Sequence, residues 1–557
     1  MSDSNPNGDQ GADDSYWEML AGEAGGDVAV PPMQGTWVDP EQPRTTAATP
    51  PHKPMRTPRQ VTSDEIFEEL ADTFGFTAFR PGQQDVVEAA IGAVDCLAVM
   101  PTGSGKSLTY QLAARLVGGT TLVVSPLIAL MKDQVDAAVD MGINATFINS
   151  SIEFEERANR IQRLRNGAYE LVYVAPEGLG SLGQVLDDAD VRLIAVDEAH
   201  CISQWGHDFR PAYRQLLHLK SRFGVPVLAL TATATDRVRG DIVTQLDLAD
   251  PVIVQTSFFR ENLKLHVYKK GTHDGVQIKV RDSIGKICVS RPGESGIVYT
   301  LSRKSAESTA EYLRSLGIKA LAYHAGLDPE TRTSVQDDFI RDDIDVVCAT
   351  IAFGMGIDKS NVRFVIHRDM PKSVEGYYQE IGRAGRDGLD SDCFLFYSWA
   401  DVIQLERMVS GSDDNSSQVR HIRRMYDFAE SQNCRHANLA GYFGERMERC
   451  DISCDMCTVL GPDLASIAAP RPQRTFVSEE LPAESQDLFE ELRSLRRQLA
   501  GDRGLPAYMV FNDATLKEMA TKKPSTYDQL LAVSGVGAKK IETYGDDFLA
   551  AIREWNG

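Results

Sequence analysis

The feature that most constrains the fold is a series of short apolar runs, β-branched or rich in leucine, separated by stretches with helical periodicity. Such runs are typical of the buried strands of a parallel sheet that is covered by helices. The series occurs twice, which predicts two α/β lobes in tandem. The strand candidates are 96–100, 121–124, 171–174, 191–196 and 227–230 in the first lobe, and 296–299, 320–323, 345–349, 362–367 and 393–397 in the second.

The flanking segments differ from the lobes in composition. Residues 1–60 are rich in Gly, Pro, Ser, Thr and Asp, which predicts a disordered tail. Leucines recur at helical spacing from Leu488 to Leu499, which predicts a small all-helical domain at the end of the chain. The predicted segments are a tail at 1–60, lobes at 61–257 and 258–410, a helical module with four clustered cysteines at 411–460, a linker at 461–483 and a helical domain at 484–557.

The chain is strongly acidic, with a net charge of −22. It lacks the basic overall field that helps many nucleic-acid binders, so any contact with phosphate would have to come from local donors within the Debye length. No apolar run approaches the ~20 residues of a membrane-spanning helix. The polar, acidic N-terminus has no signal-peptide pattern. We therefore expect a cytoplasmic protein.

A glycine-rich loop, PTGSGKS at residues 101–107, stands between the first strand candidate and an amphipathic helix. Gly103 and Gly105 allow backbone N–H groups to converge on a phosphate at the positive end of the helix dipole. Lys106 is predicted to bridge the β- and γ-phosphates of ATP, and the Ser107 hydroxyl to bind Mg²⁺. The strict P-loop pattern fails at its first position, which is Met100.

An acidic motif, DEAH at residues 197–200, ends the strand candidate 191–196. Asp197 is predicted to reach Mg²⁺ and Glu198 to orient the attacking water, with His200 beside them. An Asp-Glu pair alone is common. At the end of an apolar strand, ~90 residues after a P-loop, it indicates nucleotide hydrolysis.

A basic motif, QEIGRAGR at residues 379–386, lies in the second lobe. Gln379, Arg383 and Arg386 are the candidates here, since a guanidinium fork matches the charge on a transferring phosphoryl group. A solvated basic turn is the alternative. Arginines that close on ATP from a second lobe would couple hydrolysis to lobe closure.

These motifs, together with SPLIALMKDQ at 125–134, TATAT at 231–235 and AFGMGIDK at 352–359, resemble a bacterial RecQ-type DNA helicase of superfamily 2. The resemblance spans about 400 residues and implies two RecA-like lobes that drive 3′–5′ translocation on DNA in repair and recombination. The run FGFTAFRPGQ at 74–83 is similar to the adenine-recognition motif of the family. Arg80 and Gln83 would then read the base and adjacent groups.

The family-specific loop SQWGHDFRP at 203–211 contributes Trp205, Phe209 and Arg210. These side chains could stack on unpaired bases, and the resemblance implies that the loop couples single-stranded DNA binding to hydrolysis. Alternatively, the two aromatic residues are anchors of the lobe core.

Four clustered cysteines, Cys434, Cys450, Cys454 and Cys457, suit a tetrahedral Zn²⁺ site, with free or paired thiols as the alternative. The family places a zinc-binding module here, although this chain has one additional residue between the second and third cysteines. The C-terminal segment resembles an HRDC domain, in which Tyr508 and Lys539 are candidate DNA contacts unless the residues around them serve only helix packing. About 26 residues between Cys457 and the helical domain are too few for the winged-helix domain of many relatives.

The sequence thus predicts a DNA-stimulated ATPase and helicase that uses ATP, Mg²⁺ and Zn²⁺. We expect it to act as a monomer, associated with the nucleoid, on single-stranded and tailed or forked duplex DNA. Residues 1–60 are candidates for binding repair proteins. An RNA helicase or remodeller is one alternative, because the DEAH motif is shared across the superfamily. An ATP-switched scaffold that holds repair proteins on DNA is the other.

Overall fold

The computed structural model describes residues 60–126, 128–204, 209–273, 276–350, 353, 359–410, 415–458, 483–503 and 505–556. The predicted tail up to residue 59, Trp205, most of the motif at 352–359 and the linker up to residue 482 lie outside these described residues. Ala483, which we predicted as the last linker residue, already begins a helix.

The first lobe is built on a seven-stranded parallel sheet. Its strands are β1 (Cys96–Val99), β2 (Thr120–Val124), β3 (Ala145–Ile148), β4 (Leu171–Val174), β5 (Val191–Val196), β6 (Val227–Thr231) and β7 (Val252–Gln255). The strand order is β3-β4-β2-β5-β6-β1-β7. All five predicted strands are confirmed, whereas β3 and β7 had not been predicted.

Helices cover both faces of this sheet. They are α1 (Ser63–Phe74), α2 (Gln83–Ile91), α3 (Lys106–Val117), α4 (Ile128–Asp140), α5 (Phe154–Arg165), α6 (Gly183–Asp188), α7 (Leu219–Phe223) and α8 (Asp236–Gln245). Helix α1 shows why the chain folds locally as it does. Thr62 and Glu65 form a capping box at its start, and Gly75 ends it in the left-handed conformation.

The second lobe is built on a six-stranded parallel sheet, ordered β12-β13-β11-β14-β15-β8, beside a short antiparallel hairpin of β9 and β10. The strands are β8 (Leu263–Lys269), β9 (Gly271–His273), β10 (Val276–Ile278), β11 (Ser295–Tyr299), β12 (Ala320–Tyr323), β13 (Val346–Ala349), β14 (Val362–His367) and β15 (Ser391–Tyr397). Its helices are α9 (Val280–Val289), α10 (Arg303–Ser315), α11 (Pro329–Ile340), α12 (Val374–Ile381) and α13 (Trp399–Val409). The five predicted strands agree with the structure to within two residues, and β8 is an addition.

In the described part of the remaining chain, the regular secondary structure is helical, as predicted. Helices α14 (Asn415–Glu430) and α15 (Arg435–Tyr442) precede the last three cysteines. The C-terminal domain has its own apolar core, which includes Leu488, Leu492 and Phe548. Its helices are α16 (Ala483–Asp502), α17 (Ala507–Val510), α18 (Asp513–Lys522), α19 (Tyr527–Leu531) and α20 (Ala538–Asn556). None of the helices in the described part of the chain is long and apolar enough to cross a membrane.

The C-terminal domain packs on both lobes. On the first lobe, the Gly535 N–H donates to the Gly75 carbonyl oxygen at 3.2 Å, and the Lys539 ammonium donates to the Val139 carbonyl oxygen at 3.1 Å. A Cβ at Gly75 would lie 2.6 Å from the Gly537 nitrogen, so the two chain segments meet backbone to backbone. On the second lobe, Arg493 donates to the Gly293 carbonyl oxygen at 2.9 Å. No pattern in the sequence indicates this docking.

Candidate nucleotide site

The topology brings three of the predicted motifs to one edge of the first sheet. Strands β5, β6 and β1 are neighbours and run parallel, so their carboxyl ends lie side by side. The P-loop follows β1, the TATAT run begins at the end of β6, and DEAH follows β5. Ligands of open parallel sheets bind outside such carboxyl ends.

The P-loop has the backbone geometry of a phosphate cradle. Gly103 and Gly105 have φ of 84° and 82°, a region that favours glycine. The Lys106 Nζ donates to the carbonyl oxygens of Met100 and Pro101 at 3.0 and 3.3 Å. Met100, where the strict motif has glycine, is fully buried behind the loop and serves the lobe core.

Gln83 and Arg80 stabilise this loop by donating hydrogen bonds to its carbonyl oxygens. The Gln83 Nε2 donates to the carbonyl oxygens of Ser104 and Gly105 at 2.9 and 3.3 Å, and its Oε1 accepts from the Arg80 N–H at 2.9 Å. The Arg80 guanidinium donates to the Gly103 carbonyl oxygen at 2.6 Å. The Gln83 amide is thus engaged with the P-loop, and its predicted contact with adenine remains a prediction.

The acidic pair faces Lys106 across the cleft. Burial raises the pKa of Asp197 to about 7, and the neighbouring Glu198 adds to this effect while Lys106 opposes it. Glu198 adopts φ 48°, a left-handed conformation in which its N–H donates to Asp197 Oδ1 at 3.0 Å. A divalent cation at this point would favour the ionised carboxylate.

A chain of polar contacts leads from the acidic pair to the second lobe. The His200 Nδ1 lies 3.3 Å from Glu198 Oε2 and 2.9 Å from Thr231 Oγ1. The Thr231 hydroxyl donates to the Thr233 carbonyl oxygen at 3.1 Å. The Gln379 Nε2 of the second lobe donates to Thr233 Oγ1 at 3.4 Å. His200 and Gln379, both predicted as site residues, are therefore the two ends of an interlobe connection.

The two predicted arginines reach the same cleft from the second lobe. Arg383 and Arg386 follow α12, and both line a cavity of about 620 Å³ together with Lys106, Ser107 and Asp197. The cavity also contains the other predicted nucleotide residues, which are Arg80, Gln83, Gly103, Gly105, Glu198, His200 and Gln379. The structure thus brings the whole predicted set together, whereas the individual roles remain predictions.

The donors of the cavity suit an anionic ligand. On the cavity lining, the Arg383 Nε is buried, and no hydrogen-bond partner for it lies among the described residues. Buried donors of this kind are costly unless a ligand satisfies them. Cationic and hydroxyl groups from two lobes therefore fit the phosphates of ATP.

The C-terminal domain supplies a third wall that the sequence did not indicate. Tyr508, Asn512 and Ser534 line the cavity, so Tyr508 lies by the nucleotide loops. Lys539, the other candidate DNA contact, bonds the first lobe as described above. No sequence pattern reports which face of a helical domain docks against its neighbours.

Two further candidate DNA contacts, Phe209 and Arg210, lie close to the acidic motif, since the Arg210 N–H donates to the Cys201 carbonyl oxygen at 2.9 Å. Phe209 is half-buried, with the Arg214 guanidinium 5.2 Å from its ring centre. The Arg210 guanidinium donates to the Pro126 carbonyl oxygen at 2.8 Å. Phe209 is not part of the apolar core of the first lobe, which argues against the core-anchor alternative for this residue. Its stacking on bases remains a prediction.

The four clustered cysteines form a compact site. Their Sγ atoms lie within 4.8 Å of one another, and those of Cys434 and Cys454 are 3.8 Å apart. Sulfurs held tetrahedrally at ~2.3 Å from zinc are about 3.8 Å apart, whereas a disulfide is ~2.05 Å long. All nine cysteines fall within the described residues, and none forms a disulfide.

Backbone groups also favour thiolates at this site. The N–H groups of Ala437 and Cys450 donate to Cys434 Sγ at 3.4 and 3.3 Å, and the Arg435 N–H donates to Cys454 Sγ at 3.4 Å. Such bonds offset part of the negative charge of four thiolates. The residues present therefore fit a structural zinc ion.

Comparison with protein families assigns each segment. The DEAD/DEAH box helicase model matches residues 80–241, and the helicase conserved C-terminal domain matches 279–388. The RecQ zinc-binding model matches 399–458 and the HRDC domain matches 485–552.

Relatives align over most of the chain. It is 37% identical to the ATP-dependent DNA helicase RecQ of Pasteurella multocida, over 87% of this chain and 93% of the relative. It is also 37% identical to the RecQ of Bacillus subtilis, over 87% and 98% respectively. The solved structure of the DUF1998 helicase MrfA bound to DNA shares the fold, with a TM-score of 0.51 at 18% identity over 68% of this chain and 55% of that one. The chain belongs to the RecQ family of ATP-dependent DNA helicases.

Proposed function

We propose that this chain is an ATP-dependent DNA helicase that moves 3′ to 5′ along single-stranded DNA and separates strands during repair and recombination. The observation that carries the proposal is the composite cleft, in which the P-loop and acidic pair of one lobe face Arg383 and Arg386 of the other. A nucleotide bound there would touch both lobes. Hydrolysis would then alter the contact between them, which is what a motor requires.

The residues of the first lobe would bind the nucleotide and activate the attacking water. Lys106 would neutralise the β- and γ-phosphates, and Glu198 would orient the attacking water. Ser107 and Asp197 are the residues that would hold Mg²⁺, which supplies charge to the phosphate oxygens when bound.

The residues of the second lobe complete the site. Arg383 and Arg386 would stabilise the charge that develops on the γ-phosphate, a contribution of about 10³–10⁵ in rate for arginine fingers. His200 and Gln379 connect Glu198 to the second lobe through two threonines, as described above. A change in the position of the second lobe would therefore be transmitted to the Glu198 carboxylate through these contacts.

The DNA would be bound as a single strand with tailed or forked duplex ahead of it. Trp205, Phe209 and Arg210 are the candidates for stacking on unpaired bases beside the acidic motif. We further propose that the protein works as a monomer, that it is associated with the nucleoid, and that residues 1–60 recruit repair proteins.

Nucleic-acid preference tests the proposal. We expect single-stranded DNA oligonucleotides to raise ATP hydrolysis at least about tenfold, with RNA of the same sequence far less effective. Lys106→Ala should abolish hydrolysis, whereas Lys319→Ala, an exposed lysine of the second lobe, should not. Greater stimulation by RNA would favour an RNA helicase. A Lys106→Ala strain that still repairs DNA would favour the ATP-switched scaffold.

A further inference from the structure

A segment of seven residues, 256–262, connects the sheets of the two lobes and lines a cavity together with Thr102, Gly103 and Arg386. It is fixed on one side by the zinc-binding module. There, the Glu445 carboxylate accepts from the Ser257 hydroxyl at 2.6 Å and from the Phe258 N–H at 2.7 Å. On the other side, the segment directs Arg260 and Asn262 toward the loop that carries Arg386. We call residues 382–389 the arginine loop and residues 256–262 the crossing segment.

Arg260 bonds both halves of the nucleotide site at once. Its Nη1 donates to the Thr102 carbonyl oxygen of the P-loop at 3.2 Å and to the Gly382 carbonyl oxygen of the arginine loop at 3.0 Å. Its Nη2 donates to the carbonyl oxygens of Ala384 and Gly385 at 3.0 and 2.5 Å. The three arginine-loop carbonyls follow the C-terminus of α12, where a cation is electrostatically favoured.

Asn262 supports the same loop from the same segment. Its Nδ2 donates to the carbonyl oxygens of Gly385 and Leu389 at 2.9 and 3.0 Å. Gly385 has φ 57°, and a Cβ at this position would collide with the Asn262 amide. The arginine loop is therefore shaped around the crossing segment.

The charge around Arg260 matches a role beside phosphate. In the described part of the chain, its hydrogen bonds go to backbone carbonyls, and it forms no ion pair with a carboxylate. Burial lowers the pKa of Arg260 to about 10, and the nearby Arg386 and Arg80 contribute to this lowering. The guanidinium thus stays charged at neutral pH, and nearby carboxylates do not cancel its charge.

The two loops that Arg260 joins are in direct contact. A Cβ at Gly103 would lie 3.2 Å from Arg386 Cγ, and one at Gly382 would lie 3.0 Å from Thr102 Cβ. The crossing segment is the covalent connection between the two sheets. A change in the angle between the lobes would therefore alter the conformation of this segment. A residue in that segment is well placed to convert lobe rotation into movement of the arginine loop.

We propose that Arg260 is a positioning residue for ATP hydrolysis, which holds the arginine loop against the P-loop so that Arg383 and Arg386 reach the γ-phosphate. The inference rests on the proposed function, because it assigns those two arginines to the transition state. Arg260 itself bonds only protein carbonyls among its described contacts, so it acts through the arginine loop.

Steady-state ATPase kinetics test the proposal, with Arg260→Met, Arg260→Lys and the control Arg314→Met. Arg314 also donates to a backbone carbonyl, that of Ala320 at 3.0 Å, but entirely within the second lobe. A displacement of about 1 Å at a catalytic group costs about 100-fold in rate. We therefore expect Arg260→Met to lower the DNA-stimulated kcat by roughly 100-fold, with KM for ATP and Kd for ADP changed less than about threefold.

The conservative variant and a double variant distinguish positioning from general damage. Arg260→Lys keeps the charge but loses the fork, so its kcat should lie between those of Arg260→Met and the unmodified chain. If Arg260 acts through the arginine loop, Arg260→Met should cost less in an Arg386→Ala background than in the unmodified chain, because one of the two arginines that it positions is already absent. A kcat within about threefold of the unmodified chain, an equal effect of Arg314→Met, or additive losses in the double variant would overturn the inference. If DNA fails to stimulate even the unmodified chain, the proposed function fails instead.

Discussion

Arg496 links the interior of the C-terminal domain to an aspartate of the second lobe, and its replacement should destabilise the domain and, with it, the docking of the domain on the lobes. The side chain is fully buried. Its Nη1 donates to Asp513 Oδ1 at 2.7 Å and to the Phe511 carbonyl oxygen at 2.9 Å, while its Nη2 lies 3.6 Å from Asp342 Oδ2 of the second lobe. Arg496→Met keeps much of the apolar volume and removes the guanidinium.

The magnitude follows from the two carboxylates that lose a partner. Removal of one member of a buried ion pair costs about 3–5 kcal/mol. Asp513 loses its close contact within the C-terminal domain, whereas Asp342 of the second lobe retains the Lys359 ammonium, so most of the cost falls on the stability of the C-terminal domain itself. We therefore expect the lower end, about 3 kcal/mol. At about 1.4 kcal/mol per factor of ten, protection of amides that open with the domain should fall roughly 100-fold.

Hydrogen–deuterium exchange measures this directly. The relevant peptides span residues 70–78 and 530–545, which the Gly535–Gly75 hydrogen bond connects at 3.2 Å. Exchange should rise in both peptides for Arg496→Met and in neither for Arg497→Met, a change at the exposed neighbouring position. Unchanged exchange at 70–78 in Arg496→Met would refute the view that Arg496 holds the domain on the lobes.

Three further predictions concern the cleft, the metal and pH. Gly105→Ala should weaken ATP binding at least about tenfold in titration calorimetry, because φ is 82° and the Cβ collides with the Gln83 amide. Gly118→Ala, with φ 71° and open space around it, should leave affinity unchanged, and equal losses in both variants would contradict the reasoning. Cys454→Ser should reduce bound zinc from about one atom per chain to less than half by atomic absorption, and full retention would exclude Cys454 as a ligand. Burial lowers the pKa of Lys540 to about 8, so the unfolded chain binds more protons between about pH 8 and 10.4 and stability rises across that window. Lys540→Met should remove this rise, by at most about 3 kcal/mol in urea unfolding, and an unchanged pH slope would contradict it.

The interior strands could be predicted from the sequence because both of their faces are buried, so they read as continuous apolar runs. The three strands of the large sheets that were not predicted, β3, β7 and β8, all lie at sheet edges. Three of the four residues of β7 are exposed, which removes the apolar signal. Apart from β12, which was predicted, the edge strands owe their conformation to pairing with a neighbour, and a single chain segment does not report that pairing.

The residues of the candidate site divide in the same way, into those that a local sequence pattern predicts and those whose position depends on contacts between distant segments. Lys106, Asp197 and Arg383 could be predicted because each follows a recognisable element and parallel strands place their ends together. The positions of Arg260 and Tyr508 depend on how separate segments dock. Tyr508 was predicted as a DNA contact from the resemblance to an HRDC domain, but its place beside the nucleotide loops was not predicted. Gln83 is intermediate, since its importance was predicted but its contacts with the P-loop carbonyls at 2.9 and 3.3 Å were not.

The central claim is that a cleft shared by two lobes converts ATP hydrolysis into strand separation. The most direct test is an unwinding assay on 3′-tailed and 5′-tailed duplexes, with Arg386→Ala as the variant that keeps the P-loop intact. We predict ATP-dependent unwinding of the 3′-tailed duplex by the unmodified chain, little on the 5′-tailed duplex, and none by Arg386→Ala. Intact DNA-stimulated ATPase without unwinding of either duplex would contradict the claim and leave a translocase.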